Sequence, residues 1–120
     1  MNKYESLHSF WNSFGIPAYE ENTVPKDAKL PYITYEVVVN SLSENQTAMT
    51  AHVWDKSNGW KYLNSKVEEI ATALNGTRLV CDEGYIVLYR GEPFSNNITD
   101  AEDQTIKGKY LNITADYITR

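Results

Sequence analysis

Two segments of the chain carry apolar residues at helical spacing. In residues 3–14 these are Leu7, Phe10, Trp11 and Phe14; in residues 57–74 they are Trp60, Leu63, Val67, Ile70, Ala71 and Leu74. The spacing predicts two amphipathic helices, each with one buried face. Gly15 follows the first helix and Asn75-Gly76 the second, at the place where a C-cap favours positive φ. Ser57 is the predicted N-cap of the second helix.

Alternation of apolar and polar residues predicts a first pair of strands. Residues 32–39 are dense in β-branched and aromatic side chains, and their odd positions form an apolar face. A polar turn at 40–45 leads to a second alternating segment, residues 47–55. A connection this short favours an antiparallel hairpin, because parallel pairing needs a crossover of about a dozen residues or more.

A second hairpin is predicted from residues 78–81 and 85–89, and a long closing strand within residues 104–118. The polar segments 20–31 and 92–103 are predicted to be long loops. Strands that gather beside two helices without regular βαβ alternation are typical of the α+β class. We therefore expect one domain, residues 1–120, with a mainly antiparallel sheet and both helices on one of its faces.

Composition and charge exclude several functions. Of the 120 residues, 42% are hydrophobic, which is enough for a real core. The formal charge of −5 argues against a surface for nucleic acid or anionic membrane, because neutralising phosphate needs clustered Lys and Arg. No apolar run approaches the length of a membrane span, and the first residues lack the apolar segment of a signal peptide. These features predict a soluble cytosolic protein with no membrane partner.

The candidate catalytic and metal-binding residues are scattered. Cys81 is a lone cysteine on a predicted strand, where a small buried apolar residue is the expected role. His8 and His52 stand in unrelated contexts without metal-ligand spacing. The acidic residues near 100 lack the order of a calcium loop, and no glycine-rich nucleotide motif is present. We expect no enzyme activity, no catalytic residue, no cofactor and no metal site.

Aromatic residues are unusually abundant, with nine Tyr and three Trp. On the first predicted hairpin, bulky side chains fall on the face opposite the main apolar set; they are Tyr32, Val38, His52 and Trp54. A sheet that is apolar on both faces must be covered twice, and Tyr and Trp are enriched at interface centres. These four residues are therefore the candidate subunit interface. The alternative is that the aromatic residues pack beneath the two long loops.

Three segments resemble a known family. They are Ile16-Pro17-Ala18-Tyr19, the proline-bounded strand Pro31-Tyr32-Ile33-Thr34-Tyr35, and Val53-Trp54-Asp55-Lys56-Ser57 before a helix. Together they resemble the tail terminator (tail completion) proteins of long-tailed bacteriophages, a group of small neck proteins that includes minor capsid protein relatives. The likeness extends over most of the chain.

The resemblance implies a structural role in the virion. Family members form a hexameric ring that caps the tail tube, stops its polymerisation and meets the head-side connector or stopper protein. It implies assembly in the host cytoplasm and a final place in the neck of the tail. DNA would pass through the ring without specific binding, because an acidic wall repels phosphate. Asp100, Glu102 and Asp103 are the candidate lumen or partner-contact loop.

Other functions remain open at this point. A head–tail stopper or another head-completion protein would share the ring but contact the portal side. A monomeric binding module could hold a ligand between Tyr35, His52 and Trp54. A small enzyme that uses His52 or Cys81 is the remaining alternative.

Overall fold

A six-stranded sheet runs through the computed structural model, which describes residues 1–37 and 47–119. The elements of this part of the chain are α1 (Lys3–Trp11), a 3-10 turn (Asn12–Phe14), β1 (Ala18–Glu20), β2 (Tyr32–Tyr35), β3 (Thr47–Lys56), α2 (Lys61–Ala73), β4 (Asn75–Cys81), β5 (Gly84–Thr99) and β6 (Ile106–Thr119). No helix among them is long and apolar enough to cross a membrane.

The strand order is β1-β2-β3-β6-β5-β4. Only the short pair β1–β2 is parallel, and every other neighbouring pair is antiparallel. The predicted α+β class with a mainly antiparallel sheet is therefore confirmed. Both predicted hairpins form, although β2 ends at Tyr35. Val38 and the predicted turn at 40–45 lie outside the described residues.

One hydrophobic core lies between the sheet and the two helices. Leu7 and Trp11 of α1 and Leu63 and Ile70 of α2 are almost fully buried in it. The sheet contributes alternate residues of its long strands, which are Met49, Ala51, Val53, Ile86, Leu88, Leu111, Ile113, Ala115 and Tyr117. Because both helices pack on this face, the opposite face of the sheet receives no helix from the described part of the chain.

Helix α1 closes the gap between the two edges of the sheet. It packs against β4 at one edge and β1 at the other, so the sheet curls around it. The Ser6 hydroxyl donates to the carbonyl of Val80 at 3.0 Å. At the other edge, Asn12 hydrogen-bonds to the backbone of Ala18. Side chains of α1 and of the 3-10 turn that follows it therefore satisfy peptide groups that an edge strand otherwise leaves to water or to another chain.

The helix ends follow the prediction in part. Gly15 has φ +82°, the left-handed conformation expected after the first helix. At its start, Asn2 and Glu5 form a capping box. The predicted N-cap Ser57 is wrong: α2 begins after Trp60, and the Ser57 hydroxyl instead hydrogen-bonds to the backbone of Gly59.

The predicted loop at 92–103 is wrong for most of its length. β5 continues to Thr99, and Ser95 to Thr99 pair with β6 after a bulge that follows Arg90. The Asn112 side chain donates to the carbonyl of Pro93 at 2.8 Å and thereby holds the bulge. Pairing with a long neighbouring strand overrides the local preference of a polar, proline-containing segment for a loop. Only residues 100–105 connect β5 to β6.

Candidate functional site: an aromatic face on the sheet

The register of three strands gathers ring-bearing side chains on the helix-free side of the sheet. Tyr32 pairs with Trp54, Thr34 with His52, and His52 with Tyr110. Their sequence neighbours Ile33, Val53 and Leu111 are buried in the core, so alternation places this set on the opposite side. We call Tyr32, Thr34, His52, Trp54 and Tyr110 the aromatic face.

Three of the four predicted interface residues therefore lie together, namely Tyr32, His52 and Trp54. The fourth, Val38, lies outside the described residues. Tyr110 was missed, although the alternation along the last strand also puts it on this side.

Ring contacts order the aromatic face. His52 stacks on Trp54 with centroids 5.5 Å apart and planes inclined by 8°. Tyr110 meets His52 edge-on, at 4.9 Å and 85°. The Trp54 indole Nε1 donates to Thr34 Oγ1 at 3.3 Å. Offset or edge-to-face ring pairs are the favoured geometries, so the face is preorganised while its rings stay half-buried.

Gly108 makes room for Trp54. A Cβ atom at this position would lie 2.8 Å from Trp54 Cε3 and 3.1 Å from Ile98 Cγ1. The indole therefore lies directly on the backbone of β6. A glycine inside a predicted strand is the sequence signal of such a close approach.

Acidic residues border the aromatic face. The Glu36 carboxylate accepts a hydrogen bond from Thr50 Oγ1 at 3.4 Å, and Thr50 points to the helix-free side because Met49 and Ala51 point to the core. Burial lowers the pKa of His52, and the negative charges of Glu21 and Glu36 oppose this shift. The His52 imidazole is therefore neutral at pH 7, with the carboxylates of Glu21 and Glu36 near it.

The predicted lumen or partner-contact loop is an ordered turn. Asp100 Oδ1 accepts hydrogen bonds from the backbone N–H groups of Glu102 and Asp103, at 2.8 and 3.1 Å. Asp103 Oδ1 accepts from Thr105 N and Thr105 Oγ1, at 2.9 and 2.6 Å, and these bonds hold the pKa of Asp103 below its usual range. Two of the three carboxylates therefore shape the turn itself. Glu102 is exposed, and within the described ranges its carboxylate has no hydrogen bond or ion pair.

An open pocket of about 210 Å³ joins the turn to the aromatic face. Its lining residues are Leu30, Tyr32, Trp54, Asp100 and Ile106. The two candidate regions thus meet at one end of the sheet, although 46 positions separate Trp54 from Asp100 in the chain. Local patterns do not reveal this proximity, because it depends on the pairing of β3 with β6.

The residues considered for catalysis are kept apart. His8 Nδ1 and the Tyr35 hydroxyl are joined by a 2.8 Å hydrogen bond on the helix side of the sheet, whereas His52 lies on the other side. The predicted ligand pocket of Tyr35, His52 and Trp54 is therefore wrong, because Tyr35 points into the core and stacks on Trp11. Cys81 is buried at the end of β4. In residues 1–37 and 47–119, no three His, Cys, Asp or Glu side chains are grouped to hold a metal ion.

No protein-family model matches the chain, and neither does any curated protein or solved structure. Function must therefore be inferred from the aromatic face, the acidic turn and the sequence motifs.

Proposed function

We propose that this chain is a phage tail terminator. Its subunits form a homo-oligomeric ring, hexameric by the resemblance, that caps the tail tube, stops polymerisation of the tube protein and joins the tail to the head-side connector. The protein acts without catalysis or a cofactor, and DNA crosses the ring without being bound specifically.

The observation that supports this proposal is the aromatic face. Both helices lie on the other side of the sheet, so Tyr32, His52 and Trp54 are left partly open to solvent. Aromatic residues in an ordered, half-buried cluster are typical of interface centres. Two of the three family-like segments also meet here, because Tyr32 of the proline-bounded strand pairs directly with Trp54 of the Val-Trp-Asp-Lys-Ser segment.

The charge of the chain supports the same role. A net charge of −5 makes a ring of several subunits strongly acidic, and an acidic channel does not retain DNA. Glu102, which is exposed at the tip of the 100–105 turn, is suited to face such a channel or a partner protein.

Tube capping tests the proposal. Tail tubes of the same phage are polymerised with and without the purified protein, and their ends and lengths are examined by electron microscopy. A terminator gives capped ends and a narrow length distribution. Binding to DNA-filled heads with no effect on tubes would instead assign a head–tail stopper. A protein that ignores both would contradict a neck role.

A further inference from the structure

A second exposed surface lies on the helix-free side, at the opposite edge of the sheet. Val80 of β4 pairs with Tyr85 of β5, which pairs with Ile118 of β6. Alternation places Arg78 and Tyr89 on the same side. We call these five residues the β4 patch. Val80, Tyr89 and Ile118 are 63%, 41% and 37% exposed, so the β4 patch presents large apolar side chains to solvent.

The β4 patch carries a positive charge. The Arg78 guanidinium lies 4.5 Å from the centroid of the Tyr85 ring, and in the described part of the chain no carboxylate is within ion-pair distance of it. Asp116 lies on the same side of the sheet but two strands away, because Val87 of β5 pairs with Arg78 on one side and with Asp116 on the other. Asp116 therefore forms no ion pair with Arg78. Arg78 therefore has one face on an aromatic ring, and its N–H donors remain available to a partner.

The aromatic face and the β4 patch are complementary in charge. The first is bordered by Glu21 and Glu36, neither of which forms an ion pair within the described residues, and the second contains Arg78. Both have an apolar or aromatic centre. A closed ring requires contact between two different surfaces of each subunit, whereas contact between like surfaces would set Arg78 against Arg78.

We infer that the β4 patch of one copy of this chain docks on the aromatic face of the next copy, with Arg78 against Glu21 and Glu36. The inference rests on the proposed ring, and names the two surfaces that form each subunit contact. Apolar burial supplies the stability, and the charges select this pairing over contact between like surfaces.

Charge reversal tests the contact. One variant carries Arg78→Glu, and a second carries both Glu21→Arg and Glu36→Arg. We expect each variant by itself to associate at least about tenfold more weakly than the wild type, because like charges then face one another across the contact. An equal mixture of the two variants should recover full assembly, with subunits alternating around an even-numbered ring. In that mixture every contact again joins opposite charges. Sedimentation velocity at matched concentrations gives the masses.

Matched controls separate this effect from altered net charge or folding. Lys61→Glu makes the same charge change as Arg78→Glu, and Glu68→Arg with Glu69→Arg makes the same change as the double variant. All three positions are exposed on α2, on the helix side, so both controls should assemble like the wild type. Arg78→Gln removes the charge without reversing it and should weaken association less than Arg78→Glu. Thermal unfolding of each variant shows whether the monomer is intact.

The outcomes distinguish the contact from the proposed function. If Arg78→Glu assembles with wild-type affinity, the inferred contact is wrong. The same holds if both variants are folded but their mixture remains monomeric. Neither result excludes a ring formed through other surfaces. A wild-type protein that is monomeric both alone and with tubes overturns the ring and the contact together. If the wild type assembles only on tube ends, the same variants and mixture are scored by tube capping.

Discussion

The side-chain amide of Asn12 bonds to the backbone of Ala18 as a neighbouring strand would. Asn12 Oδ1 accepts from the Ala18 N–H at 3.0 Å, and Asn12 Nδ2 donates to the Ala18 carbonyl at 3.3 Å. Ala18 lies in β1, at the edge of the sheet, and its other neighbour is β2. One asparagine therefore satisfies both polar groups of a buried edge residue.

We expect Asn12→Ala to lower the free energy of unfolding by about 1–2 kcal/mol, since it leaves a buried N–H and C=O without partners. Asn12→Asp keeps the acceptor for the Ala18 N–H but sets a carboxylate oxygen against the carbonyl oxygens of His8 and Ala18 at the C-terminal end of α1, so it should destabilise at least as much. Ser9→Ala, at an exposed position of α1, is the control. Urea unfolding measures all three, and an Asn12→Ala protein as stable as the control would show that water replaces the amide.

Gly108→Ala should destabilise the protein by about 1–3 kcal/mol, the usual cost of overpacking, because its Cβ would meet Trp54 at 2.8 Å. Gly59→Ala is the matched control, since nothing lies within 4 Å of a Cβ there. In a double-mutant cycle, Trp54→Leu should relieve much of the cost of Gly108→Ala. Additive effects would mean that the indole does not lie on Gly108 in solution.

The free energy of unfolding should decrease in mild acid, because the folded protein disfavours protonation of His52. Its pKa is lowered by burial in the folded protein, so below the ordinary value of 6.5 the unfolded chain binds the proton more readily. Stability therefore decreases as the pH falls from about 6.5 through the lowered pKa. We expect His52→Gln to reduce the difference in unfolding free energy between pH 7.5 and pH 5. An unchanged difference in the His52→Gln variant would contradict the lowered pKa of this half-buried imidazole.

Two carboxylates of the 100–105 turn, those of Glu102 and Asp103, should respond differently to substitution. Asp103→Ala removes two hydrogen bonds to Thr105 and should destabilise the turn, whereas Glu102→Gln should leave the unfolding free energy unchanged. Because the pKa of Asp103 is lowered, its contribution is present above its ordinary pKa and is lost as the pH falls through the folded pKa. Equal effects of the two substitutions would contradict the assigned roles.

Sequence patterns predicted the elements better than their long-range assembly. Alternation in β3 separated Met49, Ala51 and Val53 from His52 and Trp54, because a half-buried strand must bury one side only. The extension of β5 to Thr99 was missed, since Pro93 and Asn96-Asn97 are typical turn residues. Pairing with β6 holds Asn96 and Asn97 extended, and the Asn112 side chain holds Pro93 in the bulge. The pocket between Trp54 and Asp100 depends on the pairing of β3 with β6.

For the candidate site as well, the side of the sheet on which a residue lies could be predicted from the sequence, whereas its atomic contacts could not. Tyr32 and Trp54 could be predicted on one side of a hairpin from their spacing alone. The packing of Trp54 on Gly108 and the use of Asp100 and Asp103 to hold a turn depend on atomic contacts that composition does not encode.

The central claim is that this chain forms a ring, and its mass in solution tests this most directly. We would measure light scattering across a concentration series, first alone and then after adding tail tubes. Six subunits of 13.7 kDa give a species of about 82 kDa, which is the predicted result, either free or recovered from capped tube ends. A 13.7 kDa monomer at every concentration, unaffected by tubes, would contradict the account.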